Sequence, residues 1–330
     1  MVDFALSENI VAPTRAAALR RFGRSDARFR VFTLAAALLV VAIFIGIMIA
    51  LIQGSWLALS TFGLGFLTSS VWNPVTEKFG ALPAIYGTVV TSALAMLVAV
   101  PVGIGIAIFL TELCPRPLKR PIGTAIELLA GIPSIIYGIW GFFIFAPYFQ
   151  QHIQPGIIDA LANIPVLQDL FEGPPYGIGM FTASLILSIM ILPFISAVTR
   201  DVFETVPPML KEAAYGIGST TWEVMWRIVL PFARSGVVGG AMLALGRALG
   251  ETMAVTFVIG NAHHINESLF APATTISASI ANEFTEALGD LYVSSLIALG
   301  LILFGITFIV LAAAQLMLRG MERRSGGKSL

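Results

Sequence analysis

The sequence predicts an all-α membrane protein with six transmembrane helices and both termini in the cytoplasm. Three observations lead to this fold class. Of the 330 residues, 57% are hydrophobic and only 12% are charged, and the mean hydropathy is +0.89, whereas soluble domains carry about 25% charged residues. Six apolar stretches are long enough to cross a bilayer, and the basic residues cluster in alternate connections between them.

The six spans follow from the length of the apolar stretches. A bilayer core of about 30 Å requires about 20 apolar residues in a helix. The first stretch is too long for the apolar region of a secretory signal, which is about 7–15 residues, so we interpret it as a retained span. The fifth carries two charges in its middle, Arg247 and Glu251. The predicted spans are 31–52, 84–110, 122–146, 177–199, 236–260 and 291–318.

The orientation follows from the basic residues, because Lys and Arg in short loops mark the cytoplasmic side. Seventeen of the 19 basic residues lie in the N-terminal tail, the second and fourth connections and the C-terminal tail. Lys78 alone lies on the other side, and Arg247 lies within a span. Both termini are therefore predicted to be cytoplasmic.

These spans divide the chain into a tail, a first helix, a loop and a helical core. The core contains the other five spans and a cytoplasmic elbow between the fourth and fifth. The predicted segments are a basic cytoplasmic tail (1–30), the first span (31–52), a periplasmic or interfacial loop (53–83), the core (84–320, with the elbow at 204–231) and a second cytoplasmic tail (321–330).

Composition also excludes several kinds of site. The formal net charge is zero, so no basic bias towards nucleic acid exists. With one cysteine, Cys114, the chain can form neither an intrachain disulfide nor a thiolate metal cluster. The pair His263-His264 is compatible with a metal site, but a solvated or interfacial pair is the favoured interpretation. We expect no metal and no cofactor.

The elbow between spans four and five is predicted to be two helices joined by a glycine turn. Gly216 and Gly218 allow the turn, since glycine adopts positive φ without a steric penalty. Thr220 and Glu223 have the spacing of a capping box, which starts a second helix. That helix either packs under the protein's own spans or lies in a groove of a second protein. Its residues at i, i+3, i+4 and i+7 form one apolar stripe: Trp222, Met225, Trp226 and Val229.

The elbow also resembles a known family. Its residue pattern is similar to the EAA loop of ABC-importer permeases. The pattern is Glu212-Ala213-Ala214, then three residues and Gly218, then nine residues and Ile228, then one residue and Leu230-Pro231. The resemblance implies the ABC type I importer permease fold and a coupling helix docked on a separate ATP-binding subunit. The chain itself is then not an enzyme, and its sequence contains no Walker A phosphate loop. The implied coupling residues are Glu212, Ala213, Ala214, Gly218, Trp222, Ile228, Leu230 and Pro231.

The charges of span five point to a polar solute. A charge at the bilayer centre costs at least about 2.5–3.5 kcal/mol, and such residues usually mark a substrate path. Arg247 presents a planar fork that fits a phosphate or carboxylate oxyanion. Glu251, four residues on, is placed to hold that fork and to accept a proton from the anion. The alternative is a structural ion pair that joins helices.

Span three is predicted to be interrupted. The run Gly131-Ile132-Pro133-Ser134 is followed by Tyr137-Gly138. Irregular backbone survives in a bilayer only where it is buried in protein or lines a wet cavity. The alternatives are pore lining and close packing of small residues. We therefore take Ser134 and Tyr137 as candidate substrate-path residues beside Arg247 and Glu251.

Two of these runs resemble the phosphate-specific branch of ABC permeases: residues 246–255, Gly-Arg-Ala-Leu-Gly-Glu-Thr-Met-Ala-Val, and residues 131–138. With the EAA loop, the resemblance covers about residues 30–320. It implies inward transport of phosphate with a second permease subunit, an ATP-binding subunit dimer and a periplasmic phosphate-binding protein. The residues at 250–255 and the long first outer loop resemble one of the branch's two permease types more than the other.

Four alternatives stay open at this point. One is a permease for another oxyanion such as sulfate, molybdate or tungstate. The second is the other permease type of the phosphate branch. The third is a membrane-embedded enzyme, which would require more ionisable residues than the single pair that the spans contain. A structural or sensory subunit is the fourth.

Overall fold

The computed structural model describes residues 12–326, with side-chain environments for all of them except 12–25, 27, 165–166 and 321–326. The predicted tails, 1–30 and 321–330, therefore fall partly outside the described residues, at 1–11 and 327–330.

Regular structure in the described part is helical, and four π-helical turns adjoin or join α-helices. The π turns are Phe109–Leu113, Gly141–Phe145, Phe149–Ile153 and Met225–Val229. The α-helices are α1 (Ala12–Phe62), α2 (Gly65–Thr68), α3 (Leu82–Ile108), α4 (Arg116–Ala130), α5 (Ser134–Trp140), α6 (Ala146–Tyr148), α7 (Gln154–Leu161), α8 (Pro165–Phe171), α9 (Met180–Glu204), α10 (Pro208–Gly216), α11 (Thr221–Val224), α12 (Leu230–Leu249), α13 (Met253–Val258), α14 (Ile276–Glu283) and α15 (Asp290–Gly326).

The chain divides into two compact units, Met1–Gln53 and Gly54–Leu330. The described part of the first unit belongs to α1, which is longer than the predicted span 31–52 at both ends. Pro13 lies in the first turn of α1, where a proline is tolerated. The Ala-, Leu- and Arg-rich sequence after it consists largely of strong helix formers, so the helix starts well before the apolar run.

Five helical stretches of the described part meet the length and composition of a membrane span, and a bent helix pair brings the number to six if it counts as one span. This pair, Arg116–Ala130 with Ser134–Leu161, bends by 89° at its break. The bend lies at Gly131–Pro133, where the sequence predicts an interruption of the third span, and the helical stretches reach beyond the predicted bounds of 122–146 on both sides. The five stretches are Arg28–Phe62, Leu82–Leu113, Met180–Glu204, Thr221–Leu249 and Asp290–Gly320.

The fifth span also differs from its predicted bounds of 236–260. Its α-helix, α12, begins at Leu230 and ends at Leu249. Residues 250–252 are not helical, and the short helix α13 follows. The two charges predicted for the middle of a span therefore lie at a helix break.

Helix α9 lies at the centre of the second unit, with α3 and α12 packed against it. Small residues permit the close approach. A Cβ on Gly236 or Gly240 of α12 would come within 2.5 Å of Val202 or 2.7 Å of Val198 on α9. Gly236 and Gly240 therefore serve the packing of α12 on α9.

A polar cluster closes the end of the unit opposite the elbow. Glu283 accepts hydrogen bonds from Trp72 Nε1 (2.7 Å) and Tyr292 OH (2.6 Å), and it pairs with His263 Nε2 at 2.6 Å. His263 stacks on Trp72 with ring centroids 5.1 Å apart. His263 is therefore held by a carboxylate rather than solvated, whereas its neighbour His264 is exposed.

The pKa of Glu283 reflects this cluster. Burial raises the pKa of the carboxyl group, but the hydrogen bonds from His263 and Tyr292 outweigh burial and hold the pKa below its ordinary value. The side chain therefore stays ionised and ties the first outer connection to α14 and α15.

The segment before α14 lies directly on α3. The hydroxyl of Thr88 accepts a hydrogen bond from the backbone N–H of Ile276 at 2.9 Å. One residue earlier, a Cβ on Gly87 would overlap the carbonyl oxygen of Thr274. The absence of a side chain at Gly87 is thus what lets this segment rest on the helix.

We predict that Gly87→Ala destabilises the protein by about 1–3 kcal/mol or more, because a backbone carbonyl has to move to admit the methyl group. Gly105→Ala in the same helix is the matched control, since nothing lies within 4 Å of its Cβ position. The thermal unfolding midpoint of the purified chain in detergent measures both. Equal midpoints for the two variants would contradict this packing.

Candidate functional site

The elbow consists of two helices joined by a turn, as predicted. Helix α10 ends at Gly216, and Gly218 adopts φ +89°, a conformation that favours glycine. The capping box predicted at the start of α11 is present, with Thr220 and Glu223 each accepting from the backbone N–H of the other. The two caps fix where one helix stops and the next begins.

The inner side of the elbow is part of the protein core. Ala214, Met225 and Val229 are buried in one apolar cluster with Ala107 of α3 and Phe203 of α9. This contact explains why the EAA-type run has a small residue at 214, where the helix meets its neighbours. The inner side of the elbow therefore packs directly against α3 and α9.

The outer side of the elbow presents aromatic surface. Trp222 is 68% exposed and Trp226 is 48% exposed, with ring centroids 5.2 Å apart. The prediction of one apolar stripe was wrong, since Met225 and Val229 are buried while both tryptophans face outward. Residues 225–229 form a π turn, whose i→i+5 bonding changes the angular spacing of side chains from that of an α-helix.

The remaining coupling residues are divided between the two sides of the elbow. Glu212, Ala213, Gly218 and Pro231 are exposed, and Ile228 and Leu230 are partly buried.

An ion pair links the elbow to α3. Lys211 Nζ of α10 lies 2.5 Å from Glu112 Oε1 in the π turn that extends α3. Both side chains are largely buried, with 20% and 12% of their surfaces exposed. Removing one partner of a buried pair leaves an uncompensated charge and is costly. The contact was not predicted from the sequence, because the two residues are 99 positions apart.

The break in the third span is stabilised by one predicted path residue. Tyr137 is buried, and its hydroxyl donates to the carbonyl oxygen of Leu129 at 2.9 Å across the break. Ser134 is the first residue of α5 and is partly exposed. The interruption at Gly131–Pro133 is thus confirmed.

The two charges of the fifth span lie on either side of the second break. Arg247 is in the last turn of α12, and its guanidinium carbon lies 4.5 Å from the ring centroid of Phe194 on α9. Glu251 Oε1 accepts from the backbone N–H of Ala254 at the start of α13, at 3.3 Å. Each charge has the sign that the adjacent helix end favours, positive at a C-terminus and negative at an N-terminus.

The predicted contact between Arg247 and Glu251 is not among the ion pairs of the described residues. Their spacing of four residues fits a continuous helix, and the helix ends at Leu249. The side chain of Arg247 is exposed rather than held by a carboxylate. Its fork is therefore open to an anion.

The two breaks belong to one region of the core. Helix α13 packs against α5, and a Cβ on Gly138 would lie 2.8 Å from Phe257 and 3.0 Å from the carbonyl oxygen of Met253. Tyr137 shares its apolar cluster with Ala248 and Ala254, which flank the second break. The structure thus brings α5, which contains Tyr137, into contact with α13, which begins two residues after Glu251.

Three functional contacts were not found from the sequence. They are the pairing of Glu112 with Lys211, the stacking of Phe194 beneath Arg247, and the Glu283 cluster. A signal existed for Glu112 alone, as an acid at the end of an apolar span, close to several basic residues. The other two depend on contacts between distant segments.

The chain matches a family model described as "Binding-protein-dependent transport system inner membrane component" over residues 99–323. Among relatives, it is 68% identical to a protein of Mesorhizobium japonicum named phosphate transport system permease protein PstC, covering 96% of this chain and 97% of that protein. It is 59% identical to the Pasteurella multocida protein of the same name, over 91% and 93% of the two chains.

Solved structures of ABC importers are similar in fold. A bacterial alginate ABC transporter, solved with an alginate-bound periplasmic protein, contains a chain with a TM-score of 0.59 and 20% identity, covering 88% of this chain and 96% of that one. A chain of the inward-facing methionine transporter MetNI gives a TM-score of 0.50 at 17% identity, over 73% and 94%. These likenesses show that the fold is that of an ABC importer permease.

Proposed function

This chain belongs to the family of binding-protein-dependent transport system inner membrane components, and from that premise we propose that it is a permease subunit of an ATP-driven importer of inorganic phosphate. The observation that carries the proposal is the 68% identity, across nearly the full length of both chains, to a phosphate transport system permease. The exposed guanidinium at the helix break supplies the chemistry for an anion.

The proposed assembly contains three further kinds of subunit. A second, PstA-like permease completes the translocation path, and a dimer of a PstB-like ATP-binding subunit hydrolyses ATP below the elbow. A PstS-like periplasmic protein delivers phosphate from the other side. The 17 basic residues of the tails and inner connections support a cytoplasmic location for both termini. We propose the domain bounds predicted from the sequence, with the helix limits given above.

The proposed type is PstC rather than PstA. The names of the Mesorhizobium and Pasteurella relatives favour PstC. The run Gly-Glu-Thr-Met-Ala-Val at 250–255 and the long first outer loop also favour PstC. The same names favour phosphate over sulfate, molybdate or tungstate, which an arginine fork alone does not discriminate.

The elbow is proposed to be the mechanical input. Trp222 and Trp226 offer rigid aromatic surface to a groove on the ATP-binding subunit. When that groove closes, the elbow moves, and its buried side and the Lys211–Glu112 pair pull on α3 and α9. Helix α12 continues from the elbow to Leu249 without interruption, so it carries the displacement to the break.

The break is proposed to be the point of contact with the anion. Arg247 provides two N–H groups to phosphate oxygens, and the electron-rich face of Phe194 stabilises the cation while the path is empty. Glu251 organises the start of α13 and is placed to receive the acidic proton of the phosphate. Ser134 and Tyr137 belong to the adjoining break, where they define the wall of the path.

We predict that Arg247→Ala lowers ATP-dependent phosphate uptake by at least about tenfold, because a charge-assisted bidentate contact contributes roughly 1.5–3 kcal/mol. Arg247→Lys keeps the charge but loses the planar fork, so we expect its phosphate uptake to fall between that of the wild type and that of Arg247→Ala. Uptake of labelled phosphate by cells that carry the assembled complex measures this. Arg319→Ala, at an exposed position of α15, is the control. Wild-type uptake by Arg247→Ala would contradict the assignment.

We predict that Glu112→Gln and Lys211→Met each uncouple transport, so that less phosphate is imported for each ATP hydrolysed. The swap Glu112→Lys/Lys211→Glu restores part of the ratio, because the attraction between the two side chains returns. Phosphate uptake and ATP hydrolysis are measured together in proteoliposomes. A swap no better than either single variant would show that the pair does not transmit motion.

A further inference from the structure

A cleft of about 400 Å³ opens at the end of the molecule that carries the elbow. It lies between the first three turns of α4 and the last turn of α9. The volume is ample for a small hydrated ion, since a water molecule occupies about 30 Å³ in the liquid. None of the four path residues predicted from the sequence lines this cleft, so it is a different site from the anion contact proposed at the helix break.

The lining is rich in positive charge. Four cationic side chains, Arg116, Lys119, Arg120 and Arg200, face two carboxylates, Glu127 and Glu204. Four cations against two acids leave a positive excess, and an excess of one sign of charge in a cleft raises the local concentration of the opposite ion. The cleft therefore attracts an anion.

Both carboxylates are already engaged. Arg200 contacts Glu127 at 2.6 Å and Asp201 at 3.0 Å, in space that Gly123 leaves open beside its guanidinium. Lys119 contacts Glu204 at 3.0 Å. Arg200 and Lys119 thus neutralise the acids of the cleft and leave its other cations unopposed.

Two guanidinium groups remain. Arg116 and Arg120 are exposed and form no ion pair with any carboxylate of the described residues. They are four residues apart on α4, so they lie on one helical face, one turn apart. A guanidinium fork binds two oxygens of a tetrahedral anion, and two adjacent forks suit a phosphate group better than a flat carboxylate.

We propose that this cleft binds a phosphate group, with Arg116 and Arg120 as its principal contacts. Two sources supply that chemistry at this location: inorganic phosphate in the aqueous phase, and the headgroup of an anionic phospholipid, for which a basic helix beside the membrane surface is suited. The binding does not require that transport occur, so it stands apart from the function proposed above.

The single cysteine provides a local reporter. Cys114 lies two residues before Arg116 and is partly exposed, so an environment-sensitive fluorophore attached there senses binding in the cleft. The full chain is purified into nanodiscs of phosphatidylcholine and titrated with inorganic phosphate, with potassium chloride holding the ionic strength constant. A second series raises the fraction of phosphatidylglycerol without inorganic phosphate.

The test compares Arg116→Gln/Arg120→Gln with Lys78→Gln/Arg319→Gln, which removes the same charge from exposed positions outside the cleft. We expect a saturable signal in at least one series for the wild type and the control. The cleft variant requires about tenfold more ligand or more, because it loses charge-assisted hydrogen bonds. A response in the first series identifies free phosphate, and one in the second identifies the lipid headgroup.

Two results would overturn the proposal. One is an equal midpoint for the cleft variant and the control in the responding series. The other is the absence of a saturable signal from the wild type in both series.

Discussion

Hydrocarbon offers no hydrogen-bond partner, and the whole arrangement depends on how the chain satisfies this constraint where its helices break. The break at Gly131–Pro133 is closed by the hydroxyl of Tyr137. The break after Leu249 is closed by Glu251, which accepts from Ala254. Helix α13 and helix α5 then pack against each other at Gly138, so the two irregular stretches protect one another within the core. Broken helices near the middle of a membrane protein are where transporters place their ion and substrate sites.

The second break also lies at the end of the helix that begins at the elbow. Helix α12 runs from the elbow at Leu230 to the turn that holds Arg247. Its glycines seat it on α9, and α9 in turn carries Phe194 beneath the guanidinium. In the proposed mechanism, an input at Trp222 and Trp226 reaches Arg247 through packed helices rather than through flexible loops. The Lys211–Glu112 pair adds a second connection, from the elbow to α3.

The sequence predicted features that depend on local chemistry. The elbow followed from Gly218 and from the capping box at Thr220, because both act within a few residues. The interruption of the third span followed from Pro133. The membrane class followed from composition, and the family from the spacing between Glu212 and Pro231. Each of these signals is complete within a short window of the chain.

The features that the sequence did not predict depend on tertiary contacts or on helix winding. Met225 is buried against α3 and α9 while Trp226 is exposed, although the helical period placed both on one stripe. The end of α12 at Leu249 removed the expected pairing of Arg247 with Glu251. His263 contacts the carboxylate of Glu283, which lies 20 residues away in the sequence, outside any helical spacing. No periodicity in a single sequence encodes these contacts.

The most direct test of the central claim is oxyanion competition in proteoliposomes that contain the chain, its second permease, the ATP-binding subunit and the binding protein, with ATP enclosed. We expect ATP-dependent uptake of labelled phosphate that excess unlabelled phosphate abolishes and that an equal excess of sulfate, molybdate or tungstate leaves unchanged. Uptake that another oxyanion suppresses as strongly as phosphate does, or phosphate uptake that needs no ATP, would contradict it.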